Sequence, residues 1–400
     1  MRPSVIIAGG GIGGLSTALS LARKNILSVV LERSPQFSEI GAGIQLGPNA
    51  FSCFDQMGIG QTARKMAVFI DALRLMNAMD GSEIVQVPLG ESFRSRFNNP
   101  YAVVHRGDLH KVLLDACKSD DRICLRTNAQ VTRYRNAENC IYVDLDNGDT
   151  EQAELLIGAD GIHSVVRQQM LPGDRIRVSG HTTYRSVIPA ENMPESLRWN
   201  AATLWAGDKC HLVHYPLSDW KRFNLVITCQ NGAVTPVSGA PVCRAEVESG
   251  FTHIDRSAKQ IIRLAEDWKQ WVLCDRDPVE QWQDGRAVLL GDAAHPMLQY
   301  MAQGACMAIE DACCIANTIE KSGISPSALH AYAEQRIPRT TRVQIASRLI
   351  GDHIYHPRGA HAKARDLVLQ SWSERDFYYR LDWLYGYDPV RLPSAVGTDS

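Results

Sequence analysis

The sequence predicts an α/β protein in which a helix-covered parallel sheet is interrupted by a second lobe built on an antiparallel sheet and followed by C-terminal helices. Three observations predict it. A strand, glycine turn, helix and strand open the chain; a buried strand and helix of the same kind return near residue 290; and residues from about Gly180 to Cys274 read as short aromatic-rich strands.

Ser4-Val5-Ile6-Ile7-Ala8 is a β-branched run that stops at glycines, and Leu15 to Lys24 then places apolar residues at helical spacing. Ser28-Val29-Val30-Leu31-Glu32 supplies the next strand. A helix signal follows at Asp108 to Cys117 and a strand at Glu154 to Gly158. Ala202-Thr203-Leu204-Trp205 and Phe223 to Thr228 are strands separated by polar turns, the pattern of an antiparallel sheet. Arg286 to Leu290 is again a buried strand and Met307 to Ile319 a helix, so the first domain is expected to be discontinuous. The expected division is 1–75, 102–178 and 279–326 for that domain, 76–101 and 179–278 for the second lobe, and 327–400 for a helical C-terminal region.

A chain of 400 residues is too long for one small core, which favours two lobes sharing a cleft. Its 45% hydrophobic and 22% charged residues are those of an ordinary globular protein. A net charge of -2 with no Lys/Arg cluster excludes the electrostatic footprint of a nucleic-acid binder. The eleven cysteines are scattered, without CxxC pairs or zinc spacing, so neither a disulfide framework nor a metal site is expected, and a reduced cytoplasm fits. Val5 to Ala8 runs straight into glycines rather than a cleavage site, which argues against a signal peptide. No apolar run approaches the roughly 18 residues that span a bilayer.

Gly9-Gly10-Gly11-Ile12-Gly13-Gly14 satisfies GxGxxG between a strand and a helix. Gly9 permits the tight turn, Gly11 lets a pyrophosphate approach the backbone, and Gly14 lets helix and strand pack closely. The helix N-terminus offers free N–H groups to the phosphates. Glu32 ends the second strand 18 residues past Gly14, where a carboxylate accepts ribose hydroxyls. Two further strand-end motifs follow, Gly158-Ala159-Asp160-Gly161 and Gly291-Asp292-Ala293-Ala294-His295-Pro296.

With these three motifs in this order, the chain resembles the class A flavoprotein monooxygenases, which include para-hydroxybenzoate hydroxylase. The resemblance covers nearly the whole chain. It implies a Rossmann-like FAD-binding domain of the para-hydroxybenzoate hydroxylase type beside a substrate domain, with non-covalent FAD, NADH or NADPH as electron donor, and O2. It assigns Asp292 to the ribityl chain, and Asp160 with Gly161 to the region of the pyrophosphate and the passing nicotinamide. Arg106, in His105-Arg106-Gly107-Asp108-Leu109, falls to the flavin side, and Arg33 and Val131 join the cofactor-binding set. Gly304 and Ala305 open a helix whose amides point at the flavin ring, where its partial positive charge stabilises the reduced anion.

Cys210-His211-Leu212-Val213-His214-Tyr215-Pro216-Leu217 reads as a strand with His211, Val213 and Tyr215 on one face and His214 on the other. Alone, such a histidine is either a structural residue or a base. The pattern Cys-His-x-x-x-Tyr-Pro-Leu, together with Pro296-Met297-Leu298-Gln299-Tyr300, is similar to the 3-hydroxybenzoate 6-hydroxylases. That resemblance implies that His211, Gln299 and Tyr215 line the substrate site. Many relatives carry proline where Gln299 stands, and a primary amide both donates and accepts, so it can hold a phenolic oxygen as proline cannot. The 6-hydroxynicotinate 3-monooxygenases share the His and Tyr but have proline for Gln299 and histidine for Gln45.

The function implied is para-hydroxylation of 3-hydroxybenzoate to 2,5-dihydroxybenzoate (gentisate), with O2 activated as a flavin C4a-hydroperoxide and His211 taking the phenol proton. The alternatives are 6-hydroxynicotinate or salicylate hydroxylation, or a flavin-binding regulatory protein without turnover. A small aromatic acid is the expected partner. The aromatic tail Trp383-Leu384-Tyr385-Gly386-Tyr387 is a candidate for packing across a homodimer interface.

Overall fold

The computed structural model describes residues 3–38 and 42–388. Its N-terminal sheet has six strands in the order Gln283–Asp284, Ala287–Leu289, Leu155–Gly158, Val5–Ala8, Ser28–Leu31 and Ile123–Arg126. Neighbours run parallel except the first pair. Val5, Ile6, Ile7, Val30, Leu155 and Ile157 are fully buried, as strands covered on both faces must be. The helices Ile12–Ala22 and Gly304–Ser322 pack together on this sheet. From Val5–Ala8 the chain moves to Ser28–Leu31 on one side and later returns at Leu155–Gly158 on the other. Ligands of such sheets bind at the carboxyl ends of the strands where the order reverses.

The second lobe is an eight-stranded sheet in the order Ser238–Val242, Trp268–Asp275, Arg177–Pro189, Arg222–Ala233, Cys210–Leu217, Ala201–Gly207, Ala72–Asn77 and Glu83–Pro88. It is antiparallel throughout except that Ala201–Gly207 runs parallel to Ala72–Asn77. That strand contains the boundary expected between residues 75 and 76, so we propose Ala72 as the start of this segment of the lobe.

Because side chains alternate along a strand, the sheet presents two different faces. Leu212, Leu225, Ile227 and Trp205 pack on one side with Ala258, Ile261 and Ile262 of the helix Arg256–Arg263. Leu204, His211, Val213, Tyr215 and Val226 face the other way and line a cavity shared with the first sheet.

The helix Pro326–Ile350, a π-helical turn at Gly351–Tyr355 and the helices Ala360–Gln370 and Glu374–Tyr385 complete the described chain. The aromatic tail packs on its own chain: Tyr385 meets Phe93, Phe97 and Tyr101 edge to face. Arg339 donates to the carbonyls of Trp383 and Leu384 at 2.6 and 2.8 Å. Leu349, Leu367 and Tyr379 are the large apolar side chains left most exposed on these helices. Among the described residues, no helix is long and apolar enough to cross a membrane.

Candidate active site

Where the two sheets meet lies a cavity of about 1080 Å³. A pocket for one drug-sized ligand measures roughly 300–1,000 Å³, so an extended cofactor and a small substrate need a space of this order. Gly9, Gly11, Glu32, Arg33, Arg106, Val131, Asp160, Gly161, Asp292, Gly304 and Ala305 line one end, and His211, Gln299 and Tyr215 the other. Gly14 stands behind the turn, where a Cβ would overlap the Gly9 carbonyl.

At the first end, Gly9 has φ 106° and any side chain on it would strike the Ala159 carbonyl. The helices Ile12–Ala22 and Gly304–Ser322 both begin without a side-chain cap, which leaves their first amides for an anion. Glu32 accepts from the amides of Gly10 and Ser34, each at 2.9 Å, and keeps lone pairs for hydroxyls. Asp160 uses Oδ2 to accept from Val165 and Val166, while Oδ1 is buried without a partner and burial pushes the carboxyl up. Asp292 is exposed in front of Gly304. Open amides, an unpartnered carboxylate oxygen and a glycine cradle are what FAD requires, so these residues fit the cofactor.

The chain turns into the helix at Gly304 through Ala302, a non-glycine residue at φ 53° and ψ 33°. Such a backbone costs roughly 1 kcal/mol and persists only where its surroundings hold it. The hold comes from behind. Glu310 and Asp311 are fully buried acids on that helix. Arg336 donates to Asp311 Oδ1 at 2.6 Å and Glu310 Oε2 at 2.7 Å, Arg339 grips both Glu310 oxygens at 2.7 Å, and His295 meets Asp311 at 2.6 Å. Asp311 also accepts from the Gly291 amide at 3.0 Å, which ties the Asp292 turn to the same network. Although burial opposes ionisation, the His295 and Arg336 charges hold the Asp311 carboxyl down at about 2.

At the second end, strand register lays the residues out in rows. His211, Thr228, Thr183 and Trp271 stand opposite one another, then Val213, Val226 and Arg185, then Tyr215 and Asn224. His211 Nδ1 and His356 Nε2 are hydrogen-bonded at 2.7 Å. His181, close to His356, is bonded to the Tyr300 hydroxyl. Burial, with His356 and His181 alongside, lowers His211 well below the ordinary histidine value. Gln299 donates to Thr183 and Thr228 at 3.0 and 3.1 Å and accepts from Arg185 at 2.9 Å. The amide expected to hold a phenolic oxygen is therefore already engaged, and it positions Arg185. His214 lies on the opposite face against Trp199, Trp205 and Phe223, as the alternation predicts.

Burial lowers His214 and His356 to about 3. In the unfolded chain both titrate near 6.5, so below that pH the unfolded state binds protons that the folded state refuses. Stability is therefore present above about pH 6.5 and lost as pH falls, by roughly 2 kcal/mol per histidine at pH 5. Urea midpoints at pH 7.5 and 5.0 check this; equal midpoints contradict it.

The family profile described as an FAD binding domain matches residues 2–347. The 3-hydroxybenzoate 6-hydroxylase 1 of Aquipseudomonas alcaligenes is 50% identical over 390 residues, 98% of this chain and 99% of that protein. The chain belongs to the class A FAD-dependent monooxygenases. A 3-hydroxybenzoate 6-hydroxylase of Polaromonas naphthalenivorans (strain CJ2) is 44% identical over 96% of each chain. In fold, the monooxygenase matches Klebsiella pneumoniae HpxO complexed with FAD and uric acid, with a TM-score of 0.85, 23% identity and 97% of each chain covered. A salicylate hydroxylase substrate complex matches with a TM-score of 0.83 at 22% identity, over 99% of each chain.

Two features of the monooxygenase's site had no signal in the sequence, and a third had a weak one. His356 follows a π-helical turn and carries no motif. Arg185 is one of two arginines on the strand Arg177–Pro189, with no motif around it. The Glu310–Asp311–Arg336–Arg339 network could have been suspected, because adjacent acids on an otherwise apolar helix face need partners.

Proposed function

We propose that this monooxygenase converts 3-hydroxybenzoate to 2,5-dihydroxybenzoate, with NADH or NADPH as electron donor and O2 as oxidant. The observation that carries the reading is His211, buried on the cavity wall with its Nδ1 bonded to His356. Relatives 44–50% identical across nearly the whole chain bear the name of this activity.

Bound FAD supplies the redox chemistry and an electrophilic oxygen; the chain's residues prepare the ring that receives it. With the His211 Nδ1 hydrogen donated to His356, the Nε2 lone pair is left for the substrate phenol. Taking that proton raises electron density at the ring carbons ortho and para to the oxygen. A neutral histidine is the form that can do this, and its depressed basicity recovers once an anionic phenolate lies beside it. Val213, Val226 and Leu204 cover the ring with apolar surface, Tyr215 closes the end towards Gly43, and the helix opened by Gly304 and Ala305 aims its amides into the cavity. Glu32, Arg33, Val131, Asp160, Gly161, Asp292 and Arg106 would hold the cofactor along its length.

A panel of hydroxybenzoates and 6-hydroxynicotinate, scored for both NAD(P)H consumption and hydroxylated product, tests the reading. Efficient coupled turnover is expected with 3-hydroxybenzoate. Preference for salicylate or 6-hydroxynicotinate overturns it.

A further inference from the structure

Arg185 is a cation in the cavity wall. Among the described residues no carboxylate lies within ion-pairing distance of it. One N–H goes to Gln299 Oε1 at 2.9 Å, the guanidinium lies 5.4 Å from the centre of the Trp271 ring, and Nε is buried with no partner. Arg106 adds a second positive charge nearby, and burial lowers the Arg185 pKa. A buried charge left uncompensated is costly and is normally paired. Among the described residues, the buried acids Glu310, Asp311 and Asp275 already have arginines, Glu310 and Asp311 with Arg336, and Asp275 with Arg177 and Arg348. Arg185 is held in place by Gln299 and Trp271 yet keeps donors for a further acceptor.

We propose that Arg185 binds the carboxylate of the aromatic acid and, with His211, sets which ring carbon is presented to the cofactor. The inference rests on the aromatic-acid reading above.

The register gives the geometry. His211 stands in one row, and the row of Val213, Val226 and Arg185 lies two residues further along the strands, about 6.8 Å at roughly 3.4 Å per residue. Tyr215 comes next, against Gly43, whose strand pairs with His105 beside Arg106 at the cofactor end. A ring with its phenol at His211 therefore lies over Val213 and Val226 and points its para carbon towards the cofactor. The two flanks of that ring differ: Arg185 stands on one, Leu204 and Leu75 on the other. A carboxylate meta to the phenol projects sideways and finds Arg185, leaving the para carbon bare. A para carboxylate would occupy the reacting position itself. Guanidinium suits the task because its planar fork can keep one N–H on Gln299 while others meet a carboxylate.

The test uses the FAD-loaded enzyme and its Arg185→Met and Arg185→Lys variants, with flavin content measured for each. Calorimetric binding and kcat/KM are compared for 3-hydroxybenzoate and its uncharged analogue 3-hydroxybenzamide. Arg185→Met is expected to weaken binding of the acid by about 10–100-fold, the range of a charge-assisted contact, to leave the amide within about threefold, and to bring the acid-to-amide ratio of kcat/KM near one. Arg185→Lys should restore part of that ratio, since it keeps the charge without the fork. An unchanged ratio in Arg185→Met, or equal losses for acid and amide, overturns the assignment while leaving the substrate reading intact. A wild-type enzyme that neither binds nor hydroxylates 3-hydroxybenzoate overturns the substrate reading and the Arg185 assignment with it.

Discussion

Replacing His211 by alanine is expected to slow hydroxylation by about 10²–10⁴, the usual range for a positioned base, and to slow flavin reduction far less. The side chain is buried on the cavity wall, and among the described residues its hydrogen bond runs to His356. Alanine removes the acceptor for the phenol proton, and a protonated phenol is a poor target for an electrophile. Electrons from NAD(P)H then leave as hydrogen peroxide rather than product. Chromatography of the product, a peroxide assay and stopped-flow reduction separate the two steps. Normal hydroxylation in His211→Ala would remove the residue from the chemistry; equal loss of reduction and hydroxylation would make it a structural residue.

Glu310→Ala is expected to destabilise the protein by about 3–5 kcal/mol, because it leaves Arg339 without a carboxylate and takes one of two from Arg336. Arg336 retains Asp311, but Arg339 keeps only the carbonyls of Trp383 and Leu384 besides its ring contact with Tyr387. The loss would reach the cofactor end, since the same network holds the Gly291 amide through Asp311. Chemical denaturation of the variant measures it, with flavin release as a second readout. A change below about 1 kcal/mol would mean the network is replaceable by water or rearranged packing.

The glycine-turn end of the cavity was legible because its structure is local: three glycines, a strand-end acid and a helix start lie within one βαβ unit and need only each other. The two faces of Cys210–Leu217 were equally legible, since period-two alternation alone separates His211 from His214. Pairings distant in sequence were not. His356 is 145 residues from His211, and Arg185 is 114 from Gln299; neither pair leaves a mark on its neighbours in the chain. Gln299 was singled out for what proline cannot do, yet the sequence could not show that Thr183, Thr228 and Arg185 already satisfy its amide. The parallel pairing of Ala72–Asn77 with Ala201–Gly207 was hidden for the same reason. Apolar spacing alone marks this helix only from Met307, while the family resemblance opens it at Gly304, where it begins.

Turnover of 3-hydroxybenzoate with NADH or NADPH under ¹⁸O2, followed by mass and magnetic-resonance analysis of the product, tests the central claim most directly. The account predicts 2,5-dihydroxybenzoate carrying one ¹⁸O, on the carbon para to the original phenol. Unlabelled product, a hydroxyl at any other ring position, or consumption of the reductant with peroxide alone would contradict it.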